Sequence, residues 1–136
     1  MKILLINKFL YPKGGDAIST IETGKLLQDK GHTVFFWGMK NPNNPSLLFD
    51  EYFIEEINYE GNLSLKRKLT GVFNLMYSFE AKHKIAQLIK IVKPEVVHLN
   101  NFSHQISPSI LDVFEDYRIP MVMTMHDYKL VCPSYS

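Results

Sequence analysis

The feature that most constrains this chain is a short apolar strand pattern at its N-terminus, followed by a loop with two glycines and then a helical pattern. Ile3 to Ile6 are apolar without interruption. A run too continuous to alternate is typical of a strand buried on both faces, as in parallel sheets covered by helices. The helical pattern extends from about Ala17 to Lys30. This order predicts a parallel sheet built around the first strand.

Further strand and helix patterns alternate along the rest of the chain. Strands are expected at about 33–38, 52–59, 95–99 and 119–125, and further helices at 65–76, 81–92 and 108–117. Gly31 stands where a left-handed helix cap belongs, and Ser107-Pro108 is a typical helix start. Parallel neighbours need crossover helices. We therefore predict an α/β fold, a Rossmann-like doubly wound parallel sheet flanked by helices, as one domain over residues 1–136.

Composition excludes several classes of protein. The net charge of +1 does not favour a nucleic-acid binder, and no apolar run approaches the roughly 20 residues of a membrane span. No signal peptide is recognisable at Met1. The single cysteine, Cys132, allows neither an internal disulfide nor a multi-cysteine metal site. A cytoplasmic setting fits, and no metal or cofactor is expected.

Three loops follow strands of the predicted sheet, at 8–16, 100–106 and 126–136, and should lie side by side, where such sheets bind ligands. Gly14-Gly15 before a helix suits a phosphate, although a simple turn explains the pair equally well. His126 can orient a sugar hydroxyl or assist proton transfer, or it can be a satisfied strand-end residue. His104 is either a second contact or a solvated loop residue.

A basic segment lies in the middle of the chain. Lys66, Arg67 and Lys68 are flanked by leucines, as in amphipathic helices that rest on anionic lipid. An ordinary solvated helix face accounts for the same pattern. The alternatives are therefore peripheral contact with the inner face of a membrane or no membrane contact.

Taken together, several motifs resemble one known family. They are Ile3 to Ile6 with Gly14-Gly15, Leu26-Leu27 with Gly31 to Val34, Lys93 to Leu99, and Pro120 to Tyr128 continuing to Pro133. In this order and spacing they look like the N-terminal, acceptor-side domain of group 1 glycosyltransferases. Those enzymes are retaining transferases of the GT-B architecture, in which two Rossmann-like domains face each other.

The resemblance implies roles for particular residues. Gly14 and Gly15 are expected to approach the donor phosphates, and His126 is expected to be the catalytic histidine of the cleft. Acceptor contacts are expected from polar residues of the same loops: Asp16, Asn101, His104, Asp127 and Tyr128. A divalent metal is generally not needed in this family, because positive groups and helix dipoles stabilise the leaving diphosphate.

The function implied is transfer of a sugar from a nucleotide-sugar donor to a glycan or lipid-linked acceptor, in the synthesis of a cell-surface polysaccharide. Two departures from the family qualify it. The chain ends at Ser136, so the donor-binding C-terminal domain is missing and the isolated chain is expected to be inactive; Ser19 and Thr20 also replace the family's usual histidine after the glycine pair. The alternatives are a non-catalytic module that binds a glycan or a protein, and an unrelated flavodoxin-like or nucleotide-binding domain.

Overall fold

A computed structural model describes residues 1–55, 78–102 and 106–126. The strands are β1 (Lys2–Ile6), β2 (Thr33–Trp37), β3 (Val96–Leu99) and β4 (Met121–Met123). The helices are α1 (Gly15–Asp29), α2 (Phe79–Val92) and α3 (Ser109–Asp116), with a 3-10 turn at Asp50–Tyr52. All strand pairs are parallel, in the order β2-β1-β3-β4. This is the predicted α/β fold with a Rossmann-like sheet.

The first strand is central, as its sequence predicts. Leu4, Leu5 and Ile6 have no exposed side-chain surface. Strand β1 pairs with β2 on one side and with β3 on the other, so the order of strands reverses beside it. The crevice at such a reversal, outside the carboxyl ends of the strands, is the usual ligand site of this architecture.

The two faces of the sheet carry cores of different size. Helix α1 covers Ile3, Leu5 and Val34 on one face. Helices α2 and α3 pack on the other face, where the larger core lies. Its most deeply buried members include Leu4, Ile6, Trp37, Ile85, Leu88, Val97, Ile110 and Phe114. Helices on both faces explain why β1 is apolar at every inner position rather than at alternate ones.

The start of α1 differs from the sequence expectation. The helix begins at Gly15, because Ile18 already donates its backbone N–H to Gly14 O at 3.0 Å. Gly14 is extended, with φ −165°, so the glycine pair does not serve to reach positive backbone angles. Gly31 does, with φ +84°, as the predicted left-handed cap.

The buried face of α1 also differs slightly from the pattern. Ala17, Thr20 and Gly24 are buried, whereas Ile18, expected on the inner face, is 48% exposed. Thr20 is accommodated because its hydroxyl donates to Asp16 O at 2.7 Å, which satisfies the polar group within the helix. Apolar periodicity alone predicts that a threonine at such a position is exposed.

The predicted strand at 52–59 is not seen where the chain is described. Residues 50–52 form the 3-10 turn instead, and Ile54 makes a single parallel bridge with Met39. Trp37 holds the turn in place, because its indole N–H donates to Tyr52 O at 2.9 Å. Residues 56–59 and the helix expected at 65–76 lie outside the described residues.

Ser107 acts at the start of α3 as its sequence suggests. Its hydroxyl accepts hydrogen bonds from the backbone N–H of Ser109 at 3.3 Å and of Ser78 at 2.8 Å. Pro108 follows with helical backbone angles, although the regular helix begins one residue later. The same hydroxyl therefore links the start of α3 to the start of α2.

Gly24 lets α1 approach the sheet, which gives a first testable prediction. A Cβ built on Gly24 overlaps the Phe36 ring and lies 3.2 Å from Leu5 Cδ1. We expect Gly24→Ala to lower the free energy of unfolding by about 1 kcal/mol net, since a steric cost of roughly 1–3 kcal/mol exceeds the helical gain of about 1 kcal/mol. Urea denaturation measures this change. In the Phe36→Leu background the same substitution should cost clearly less, and equal cost in both backgrounds would refute the assigned contact.

Candidate functional site at the carboxyl edge of the sheet

The loops that leave β1 and β3 are joined at the carboxyl edge of the sheet. Lys8 donates its backbone N–H to Asn101 O at 2.7 Å, and Asn101 N donates to the side-chain oxygen of Asn7 at 2.9 Å. Asn7 is completely buried, and its amide nitrogen donates to Phe9 O at 2.7 Å. These bonds use the polar groups of Asn7 to fix one loop against the other. The edge is thus a rigid platform rather than two independent loops.

His126 lies on this platform beside Asn100. His126 Nε2 is 3.1 Å from Asn100 Oδ1. Because the amide oxygen can only accept, the pair requires a proton on Nε2, and in the tautomer that carries it there alone Nδ1 is an acceptor. Among the described residues, no hydrogen bond is formed by Nδ1. The arrangement presents a fixed imidazole with an accepting nitrogen available to a ligand.

A second polar pair lies beside the first. His98 Nε2 and Thr124 Oγ1 are 2.7 Å apart, two residues before Asn100 and His126 on their respective segments. Side chains at alternate positions share one face of a sheet, so both pairs lie on the face that α1 covers farther along. The two pairs tie the segment after β4 to β3 and so help to position His126.

The Asn100 amide has one group without a partner. Asn100 is 8% exposed, and its Nδ2 is buried with no hydrogen bond to any described residue. Buried polar groups are nearly always paired, so an orphaned donor beside the His126 ring calls for an explanation. An acceptor atom placed between Asn100 and His126 would satisfy this donor.

Burial lowers the pKa of His98, and the nearby His126 adds a smaller effect in the same direction. The folded protein therefore binds fewer protons on this ring than the unfolded chain. Its contribution to stability is complete above the ordinary pKa of 6.5 and is lost as pH falls through the lowered value.

A histidine titration followed by NMR tests this assignment. The His98 ring should titrate below 6.5, and the free energy of unfolding should fall below that pH by less in His98→Gln than in the wild type. A His98 ring that titrates at or above its ordinary value would contradict the burial that the structure gives it.

The start of α1 supplies the remaining predicted residues. A Cβ built on Gly15 meets nothing within 4 Å, so no packing requirement explains glycine there. A Cβ on Gly14 would lie 3.2 Å from Asp16 Oδ1. The other carboxylate oxygen, Asp16 Oδ2, is buried and has no hydrogen-bond partner in the part of the chain that the structure describes. The first turn thus presents unpaired backbone N–H groups next to an unsatisfied carboxylate.

Cationic side chains stand near this turn. Lys13 Nζ lies 3.8 Å from the centroid of the Phe9 ring, and Lys8 Nζ lies 5.4 Å from it. Phe9 in turn packs edge-to-face on Tyr11. A cation held over a ring has fewer conformations than a free lysine, so positive charge is concentrated in the loop before α1.

The structure brings together some of the predicted site residues and leaves others outside its description. His126, Asn101, Gly14, Gly15 and Asp16 all belong to segments at or next to the carboxyl edge. Asn101 contributes its backbone groups to the platform. His104, Asp127, Tyr128 and the basic segment Lys66 to Lys68 lie outside the described residues.

Sequence reasoning missed Asn100 and Asn7. Asn100 belongs to the loop that the sequence predicts at 100–106, and its position two residues after His98 places both side chains on one face of the strand. Asn7 follows the first apolar run, and nothing in the local sequence indicates that its side chain accepts a bond from the backbone of Asn101. The alternation of His98 and Asn100 was the available signal.

The described residues contain neither a metal-binding cluster nor a membrane-spanning helix. Within residues 1–55, 78–102 and 106–126, no group of three histidine, cysteine or acidic side chains could hold a metal ion. In the same part of the chain, the helices are too short or too polar to cross a bilayer.

Comparison with curated proteins finds a distant relative. The chain is 26% identical over 147 aligned positions to an uncharacterized 42.6 kDa protein in the cps region of Klebsiella pneumoniae. The alignment covers 98% of this chain and 39% of that protein, so the chain spans well under half of its relative's length. No protein-family model matches the chain.

Proposed function

We propose that this chain is the acceptor-side domain of a retaining GT-B glycosyltransferase that moves a sugar from a nucleotide-sugar donor to a glycan or lipid-linked acceptor. The observation that carries the proposal is the His126–Asn100 pair at the carboxyl edge. It holds an imidazole in one tautomer, with its accepting nitrogen available and an unpaired amide donor beside it. Hydroxyl groups of sugars, which both donate and accept hydrogen bonds, fit this combination.

The proposed reaction assigns separate tasks to the two parts of the edge. The bond between the sugar C1 and the diphosphate breaks with its electron pair on the diphosphate, while a bond forms between C1 and the acceptor oxygen, whose proton passes to an oxygen of the departing diphosphate. The His126 ring orients a sugar hydroxyl through Nδ1 and Asn100 fixes the ring. The N–H groups at Gly15 and the charge of Lys13 favour the departing diphosphate.

Asp16 has a different task from its neighbours. A carboxylate in the first turn of α1 repels a second anion but accepts hydrogen bonds from neutral hydroxyl groups. Its unsatisfied Oδ2 therefore suits an acceptor hydroxyl better than a phosphate. In this proposal Asp16 separates the acceptor from the diphosphate at the same helix end.

The biological setting proposed is the synthesis of a cell-surface polysaccharide. Its support is the relative encoded in a cps region, which is a capsule polysaccharide locus. We propose a cytoplasmic location, with Lys66 to Lys68 as a peripheral contact with the inner face of the membrane. The donor-binding domain is expected in the remainder of a longer polypeptide.

A transfer assay tests the proposal. The full-length polypeptide is incubated with a panel of nucleotide sugars and lipid-linked or glycan acceptors, and products are detected by mass spectrometry. We expect one donor to add a single sugar to an acceptor with retention of the anomeric configuration. Glycan binding without transfer from any donor would reject the enzyme and leave a non-catalytic binding module as the function.

A further inference from the structure

A cavity opens at the carboxyl edge of the sheet, beyond β2 and away from His126. Met39 N donates to Lys8 O in the loop after β1. On the side away from β1, Ile54 N donates to Gly38 O and Lys40 N donates to Ile54 O. His126 follows β4, three strands away, so the cavity and the imidazole are separated by roughly 15 Å at an interstrand spacing of about 4.8 Å. The cavity is therefore distinct from the site already described.

The cavity is large and its floor is well ordered by local bonds. Its volume is about 650 Å³, within the range of small-molecule sites. Asn41 O accepts from Asn44 N at 3.0 Å, and Asn41 Oδ1 accepts from Asn43 N at 2.9 Å. Asn44 Nδ2 then donates to Met39 O at 2.8 Å. These bonds fold the loop back on itself and tie it to Met39.

One polar atom of this floor is unsatisfied. Within residues 1–55, 78–102 and 106–126, Asn44 Oδ1 is buried and has no hydrogen-bond partner, although the amide nitrogen of the same side chain is paired. An orphaned acceptor in the wall of a polar cavity is unusual in a folded protein. A hydroxyl donor of a bound molecule, reached by a small shift of the loop, satisfies it.

The charges of the cavity disfavour an anionic occupant. Lys40 Nζ and Glu55 Oε1 form an ion pair of 2.7 Å that neutralises the lysine. Asp50 is a further carboxylate in the wall, so the lining residues that the structure describes carry one more negative than positive charge. Pro42 and Pro45 add apolar surface without backbone donors. Carboxylate and amide oxygens beside apolar patches match a ring that carries hydroxyl groups on its edge and C–H groups on its faces.

We propose that this cavity, formed by residues 40–55, is a binding subsite for a neutral saccharide unit of the acceptor glycan. The inference that the cavity binds a saccharide is argued from the cavity alone. The inference that this saccharide belongs to the acceptor rests on the proposed function. The distance from His126 corresponds to two or more sugar rings, so the subsite holds a unit remote from the point of transfer. It selects long acceptors over short ones.

The test uses the full-length polypeptide and a printed array of neutral and anionic oligosaccharides. We expect neutral glycans to be retained, and Asn44→Ala and Asp50→Asn each to weaken that retention at least fivefold. Asn43→Ala is the matched control, because it bonds through its backbone N–H, which the substitution keeps. Since Asp50 is exposed and its substitution changes only charge, loss of folding cannot account for its effect; thermal unfolding verifies this for all three variants.

Kinetics separate this inference from the proposed function. With a short acceptor the Asn44→Ala variant should transfer at the wild-type rate, whereas with a long acceptor its KM should rise at least fivefold. Transfer with unchanged retention and KM in both cavity variants would overturn the subsite and leave the transferase intact. Glycan retention that depends on Asn44 and Asp50, without transfer from any donor, would overturn the transferase and leave the saccharide site. Absence of any glycan retention would overturn the subsite.

Discussion

Replacement of His126 by alanine is expected to reduce turnover of the full-length polypeptide at least tenfold, which corresponds to about 1.4 kcal/mol of activation free energy. The ring stands at the carboxyl edge with Nε2 bonded to Asn100 and no bond to Nδ1 among the described residues. Alanine removes the accepting nitrogen without disturbing the core, because residue 126 is exposed. The loss should therefore fall on kcat rather than on folding, as single-turnover kinetics can measure.

A second substitution and a control make this result specific. Asn100→Ala should also slow turnover, since it frees the ring and removes the bond that selects its tautomer. His32→Ala is the matched control: His32 Nδ1 lies 3.3 Å from the N-terminal amine, at the opposite edge of the sheet. Wild-type turnover by His126→Ala, or equal loss in His32→Ala, would remove His126 from the chemistry.

The largest effect on stability is expected from Gly38→Ala. A Cβ on Gly38 collides with the backbone carbonyl oxygen of Asn7 and lies 3.2 Å from Cγ and Cδ1 of the buried Leu10. A backbone atom cannot swing aside as a side chain does, so the strand end or the loop after β1 must shift. We expect the free energy of unfolding to fall by about 3 kcal/mol, the upper end of the usual cost of overpacking.

Urea denaturation of Gly38→Ala beside Gly15→Ala provides the comparison. Gly15→Ala should leave stability unchanged or slightly higher, because its new methyl group meets nothing within 4 Å and alanine favours a helix. Because Asn7 fixes Asn101, the Gly38 substitution should also shift amide resonances at the carboxyl edge. Equal stability of the two variants would contradict the close approach at Gly38.

The sequence predicted the sheet better than it predicted the site. The continuous apolar run identified β1, since burial on both faces leaves no alternation to misread. The last strand was expected over 119–125, but only Met121–Met123 pairs regularly. Strand β4 lies at the edge of the sheet, where side chains are exposed and pairing rather than composition decides the ends.

The site depends on contacts between residues far apart in sequence. His126 could be proposed because it follows a strand directly. Its hydrogen bond to Asn100 joins residues 26 positions apart in the sequence. The hydrogen bond from Asn101 to Asn7 joins residues 94 positions apart. No local pattern encodes such pairs. The phosphate role of the glycine pair stays a prediction, and the extended Gly14 shows that positive backbone angles are not needed for this loop conformation.

The most direct measurement is a crystal structure of the full-length polypeptide with the nucleotide sugar that the donor panel identifies. We predict that the diphosphate lies against the first turn of α1 at Gly14 and Gly15, with the sugar ring facing the imidazole of His126. A nucleotide sugar bound away from this edge, with His126 contacting no part of it, would contradict the proposed function.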